Sequence, residues 1–133
     1  MSNSSKNNTS RRTSIRPMRI LLDECIPREF RACLKPHWST SVLAFAYLPG
    51  RKQESKIAFA EGIFDVFITL GLRDAELLKV RRHRTAVITL SAKSNRLEDL
   101  RPFARKIVAA VEAIRPGEVV HISAAAKMPC FDN

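Results

Sequence analysis

MRILLDECIPREF, residues 18–30, is the stretch on which the reading of this chain turns. Ile20, Leu21 and Leu22 are consecutive large aliphatics, as expected of a strand buried on both faces of a sheet. Asp23 and Glu24 then end the apolar run, and Pro27 brings a backbone angle suited to the first turn of a helix. Strand, acidic turn and helix follow one another within thirteen residues. The alternation continues, with strands expected at about 40–46, 65–70, 85–90 and 118–122. Between them, Ile57, Phe59 and Ala60 mark a helix over about 53–62, and Ala75, Leu77, Leu78 and Val80 mark another over about 72–80. The strongest periodicity, Phe103, Ile107, Val108, Val111 and Ile114, predicts a helix over about 102–115, with Asp99 as its N-cap and Pro116-Gly117 as its stop. Strands alternating with helices indicate an α/β fold: a three-layer α/β/α sandwich around a mainly parallel sheet.

With 133 residues the chain holds one ordinary domain, expected over residues 18–124, and any chemistry comes from one small site. Residues 1–17 are Ser, Asn, Thr and basic residues with almost nothing apolar, and read as a disordered basic tail; residues 125–133 read as a short C-terminal tail. The tail has two readings, an arm that touches nucleic acid or an upstream extension without a role. The longest apolar run, 42–48, ends at Pro49-Gly50, far short of the roughly 18 residues a membrane helix needs, so no membrane is expected. Cys25, Cys33 and Cys130 are odd in number and lack zinc-site spacing; they read as reduced thiols of a cytoplasmic protein. The net charge of +10 favours a polyanionic partner. Residues 1–17 hold four basic residues and no acid, so the remainder carries +6.

In an open parallel sheet, ligands bind where the loops leave the carboxyl ends of the strands. Asp23 and Glu24 follow the first strand, Gly71, Arg73 and Asp74 the third, and Ser94, Asn95 and Arg96 the fourth. A carboxylate at such a position suits Mg²⁺ or Mn²⁺, which take oxygen ligands. Asp23 is the best ligand candidate, but Asp23-Glu24 also reads as an acidic cap on the following helix, and Ser94-Asn95 as a turn. The basic run Lys79, Arg81, Arg82, Arg84 reads as a solvated helix end or as a phosphate-tracking patch. His37, His83 and His121 are scattered, and Trp38 and Tyr47 read as core aromatics. Signatures of phosphate-binding loops, dinucleotide folds and serine hydrolases are absent.

MRILLDECIPREF, FDVFITL at 64–70, AVITLSAKSNRLEDLRPF at 86–103 and IRPGEVVHI at 114–122, taken in this order, resemble the bacterial PIN-like family of small proteins. The resemblance spans nearly all of residues 18–122. It implies a PIN-like fold best known for Mg²⁺- or Mn²⁺-dependent ribonucleases, many of them toxins paired with a small antitoxin-like protein. By this resemblance Asp23 is the first acid and principal metal ligand, with Glu24 adjoining it as a further catalytic and metal-binding carboxylate, and the middle acidic or amide position falls near Gln53 and Glu54, of which Glu54 is a catalytic candidate; Asp74, three residues beyond Gly71, is a substitute metal ligand that would reach in from the next helix. Ser94, Asn95, Arg96 and Arg73 then position RNA phosphate. One departure stands out: Gly71 occupies the place where the family carries a metal-binding Asp, two residues after the Thr of the FDVFIT strand. Two readings follow, a metal-dependent ribonuclease-type domain with a weakened site, or a catalytically degenerate module that binds RNA or a protein partner. The oligomeric state is left open between monomer and dimer.

Overall fold

A computed structural model of the chain describes residues 16–71 and 83–123. The predicted helix at 72–80, with Arg73 and Asp74, and most of both tails lie outside these residues. Five strands form one sheet: β1 Arg19–Leu22, β2 Trp38–Ser41, β3 Val66–Leu70, β4 Ala86–Ser91 and β5 Val119–Ser123. All pairings are parallel, and the strand order is β2-β1-β3-β4-β5. Parallel neighbours cannot be joined by tight turns. The chain is α/β, as the alternation of apolar runs predicts.

Period-two alternation along the strands assigns each side chain to a face. Leu21 of β1, Phe67 of β3 and Val87 of β4 point to one side, where Ile57 and Ala60 of α1, Gln53–Ala60, pack on them. Ile20, Leu22, Val66, Ile68, Ile88 and Leu90 point to the other. There they meet Phe30 and Leu34 of a 3₁₀ helix, Arg28–Leu34, and Ile107 and Val111 of α3, Ala104–Ala113. Helical segments therefore cover both faces. Among the described residues, no helix is long and apolar enough to cross a membrane.

Three local expectations are corrected. The second strand is Trp38–Ser41, four residues that end as the apolar run begins; Val42–Ala44 turns into a 3₁₀ helix whose cap, Ser41 Oγ, accepts from Leu43 N–H at 3.0 Å. The predicted helix 102–115 begins earlier and is interrupted. A short α2, Leu97–Leu100, runs into a 3₁₀ turn at Arg101–Phe103 before α3, because Pro102 has no N–H to continue the α-helical ladder. Asp99 consequently sits inside α2 instead of capping α3, and accepts a hydrogen bond from Ser94 Oγ at 2.6 Å. Trp38 and Tyr47 are not core residues: they are 66% and 58% exposed.

Candidate functional site

The alternation that buries Leu21 and Phe67 under α1 also sends Asp23 and Thr69, two residues further along each strand, to that same side. Both are buried, at 4% and 0% exposure. On α1, Gln53, Lys56, Ile57 and Ala60 share one face by helical spacing, so the helix that buries Ile57 and Ala60 also delivers an amide and an ammonium to the carboxyl ends of β1 and β3.

The result is a closed polar cluster. Asp23 Oδ2 accepts from Thr69 Oγ1 at 2.5 Å and from Gln53 Nε2 at 2.8 Å. Its Oδ1 accepts from Lys56 Nζ at 2.9 Å and from the Glu24 backbone N–H at 2.9 Å. Gln53 Nε2 also reaches Thr69 Oγ1 at 2.8 Å. Lys56 Nζ lies 2.9 Å from Glu24 Oε1 as well, so one buried ammonium bridges two carboxylates. Glu24 in turn accepts the Gly50 N–H with both oxygens at 3.0 Å. Gly50 adopts φ of 83°, the left-handed region open to glycine, which lets the loop before α1 turn its N–H onto that carboxylate.

The electrostatics follow from these contacts. Burial opposes charge on Asp23, but the hydrogen bonds from Thr69, Gln53 and Lys56, with the lysine's charge, outweigh it and hold the carboxyl below its ordinary pKa. Burial likewise opposes charge on Lys56, and the bonds and charges of Glu24 and Asp23 outweigh it, raising the ammonium's pKa. Both groups are therefore ionised at neutral pH. Burial, with the Asp23 charge nearby, pushes the Cys25 thiol up, so it stays protonated and is a poor nucleophile.

Two more carboxyls are lowered although burial opposes their charge: Glu61 by the N–H groups of Arg84 and Thr85, and Asp65 by Arg19 and Arg16. A carboxyl depressed in the folded state contributes stability above its unfolded pKa of about 4 and loses it as pH falls through the folded value. The chain is therefore expected to keep a flat melting temperature from neutral pH down to about pH 4 and to lose stability steeply below it. Melting curves between pH 2 and 7 check this; a melting temperature as high at pH 2.5 as at pH 7 contradicts it. Lys56 has the opposite sign, and its contribution is lost only as pH rises beyond the ordinary lysine value of about 10.4.

Of the residues the sequence singles out, Asp23 and Glu24 are brought together. Glu54 is turned away, its Oε2 lying 3.8 Å from His83 Nε2, and its neighbour Gln53 meets Asp23 instead. Ser94 and Asn95 are engaged internally: Ser94 Oγ accepts from Arg96 N–H at 3.0 Å, and Asn95 Nδ2 donates to the Cys25 carbonyl at 3.0 Å, tying the loop after β4 to the loop after β1. The Arg96 guanidinium is exposed, 3.5 Å from Glu98. Gly71 has φ of 66°, and its N–H donates to Leu90 O at 3.1 Å. Of the two residues at the middle acidic or amide position, Gln53 is the one that reaches Asp23, whereas Thr69 and Lys56 have no place among the sequence candidates. The signal in the sequence is Lys56 itself, a lysine inside the apolar stripe of QESKIAFA.

Mg²⁺ and Mn²⁺ need several oxygen ligands with room for water. Here the two carboxylates already share an ammonium, and the Gln53 amide presents its nitrogen, so this donor set does not fit a hard divalent ion. Among the described residues, no three His, Cys, Asp or Glu side chains gather where they could hold a metal. No family model matches the chain, and neither the curated proteins nor the solved structures contain a match.

Proposed function

We propose that the chain is a PIN-like domain that works by binding RNA and not by metal-dependent phosphodiester hydrolysis. The observation that carries this reading is Lys56: its ammonium lies between Asp23 and Glu24, the two carboxylates to which the resemblance would assign a metal ion. A side-chain cation tethered to α1 neutralises the carboxylates but has no open coordination position from which to activate water. Gly71 supports the same conclusion, since it stands where the family carries a metal-binding Asp. RNA is favoured as the ligand by the net charge of +10, which releases counterions from a phosphate backbone on binding.

The test is a thermal melt of the full chain titrated with MnCl₂ and MgCl₂ to millimolar concentration, beside a cleavage assay on labelled RNA. Metal present at a hundredfold excess over its Kd would add about 2.7 kcal/mol to stability, several degrees in Tm at this domain size. No rise and no cleavage are expected. Gly71→Asp should change neither result, because Lys56 remains; among the described residues nothing lies within 4 Å of a Cβ at this position, and its positive φ costs about 1 kcal/mol. A metal-dependent rise in Tm accompanied by metal-dependent cleavage in the wild type overturns the proposal.

A further inference from the structure

The edge of the sheet opposite Asp23 carries a second feature. There a cleft of about 420 Å³ opens between the start of β1, the turn before β4 and the end of α3. Arg16, Arg19, Arg84 and Arg115 line it, with Asp65 as the lone acid, so the wall carries a net charge of +3. Asp65 orients two of the four, its Oδ1 lying 3.8 Å from Arg16 and its Oδ2 3.5 Å from Arg19 Nε. The side chains of Arg84 and Arg115 have no ion-pair partner among the described residues.

A second hollow, on the far side of β2, is lined by Arg28, Arg31, Lys35 and the exposed Trp38, with Glu29 as its lone acid. The two adjoin. Arg19 and Trp38 are register partners on neighbouring strands, about 4.8 Å apart, and Trp38 N–H donates to Met18 O at 2.9 Å. The join is rigid: His37, 5% exposed, accepts the Met18 N–H on Nδ1 at 3.0 Å, and so carries its proton on Nε2, 2.9 Å from Glu112 Oε2. From β4 to β2 the strip crosses three strand spacings, about 14 Å. It lies four residues, about 13 Å along β1, from Asp23.

We propose that this edge is a binding track for single-stranded RNA, with Arg84 and Arg115 holding backbone phosphates and Trp38 offering a face on which a base stacks. The inference rests on the binding reading above for its ligand class, and gives that reading a location away from the Asp23 cluster. Arginines without an ion-pair partner among the described residues, set in a concave wall, suit phosphate, whose oxygens match the guanidinium fork. Stacking on an exposed indole is insensitive to sequence and needs unpaired bases, which selects a single strand over a duplex.

The experiment is fluorescence anisotropy of labelled oligouridylate with the full chain over a salt series. The Arg84→Glu/Arg115→Glu variant should bind at least about tenfold more weakly at low salt, with its log K against log salt slope shallower by about 1.4, for two lost phosphate contacts. Trp38→Ala should weaken binding about tenfold. Lys52→Glu/Lys93→Glu, on the Asp23 edge, should stay within about twofold of wild type, since it removes no contact of the track. All three variants alter exposed side chains, and unchanged melting curves verify that they fold. Loss confined to the Lys52/Lys93 variant overturns the location while leaving the binding reading intact. Competition by pyrophosphate at equal phosphate concentration overturns the assignment to a strand and makes the cleft a site for a free phosphate compound. Absence of any binding at low salt overturns the track; metal-dependent cleavage, read in the separate titration, overturns the binding reading itself.

Discussion

Asp23→Ala is expected to cost the domain about 3 kcal/mol, the lower end of the range for removing one member of a buried ion pair. Four donors lose one acceptor together: Lys56 Nζ, Thr69 Oγ1, Gln53 Nε2 and the Glu24 N–H. The loss stays at the lower end because Glu24 still holds the ammonium. Chemical denaturation of wild type and variant measures it, and a change below about 1 kcal/mol, the size of an ordinary exposed pair, would refute a buried, mutually dependent cluster. The companion variant Asp23→Leu/Lys56→Met should be less destabilised than Asp23→Ala, since removing both charges leaves no ion stranded in an apolar setting. The single variant should also lose part of the steep acid transition below about pH 4, because one of the depressed carboxyls is gone.

Phe67→Ala should cost about 3–5 kcal/mol, as expected for truncating a fully buried aromatic. Phe67 is 0% exposed in β3, in the smaller of the two cores, with Leu21, Val42, Leu48, Ile57, Ala60 and Val87. This core seats α1 on the sheet, so the cavity should also loosen the helix that brings Gln53 and Lys56 to Asp23. Phe30→Ala, in the larger core on the opposite face, should cost a similar amount without that second effect. Urea unfolding gives the first quantity, and amide exchange along residues 53–60 gives the second. Equal protection of α1 in the two variants would show that the smaller core does not hold the helix in place.

Much of the fold is legible in the chain because it depends on local pattern. ILL, VFIT and AVIT are short apolar runs between polar turns, and they become β1, β3 and β4 at nearly the expected residues. The second strand is less legible: residues 42–48 are more hydrophobic than 38–41, yet the strand is the latter. Pairing with β1 from Arg19↔Trp38 to Leu22↔Ser41 selects it, and that partner is remote in sequence. The same competition places Trp38 on an edge strand and leaves it exposed.

The candidate site divides along the same line. That Asp23 and Thr69 share a face follows from period two, and that Gln53 and Lys56 share a face follows from 3.6 residues per turn. Neither periodicity says that these two faces meet. Lysine is almost never buried unless paired, so the place of Lys56 in an apolar stripe is a signal, but no local rule names the partners that would bury it. Only the packing of α1 over Leu21 and Phe67 brings its ammonium within 2.9 Å of both acids, where shared charge offsets the loss of water. The arginine edge is less local still. Arg16, Arg84 and Arg115 are separated by 68 and 31 positions, and each alone reads as a solvated surface residue. The sequence by itself determined the alternation of strands and helices and put Asp23 at the carboxyl end of a buried strand, because short-range periodicity is written along the chain. The tertiary structure alone decided which charges face one another, because parallel crossovers collect at each edge of the sheet residues that no short-range pattern relates.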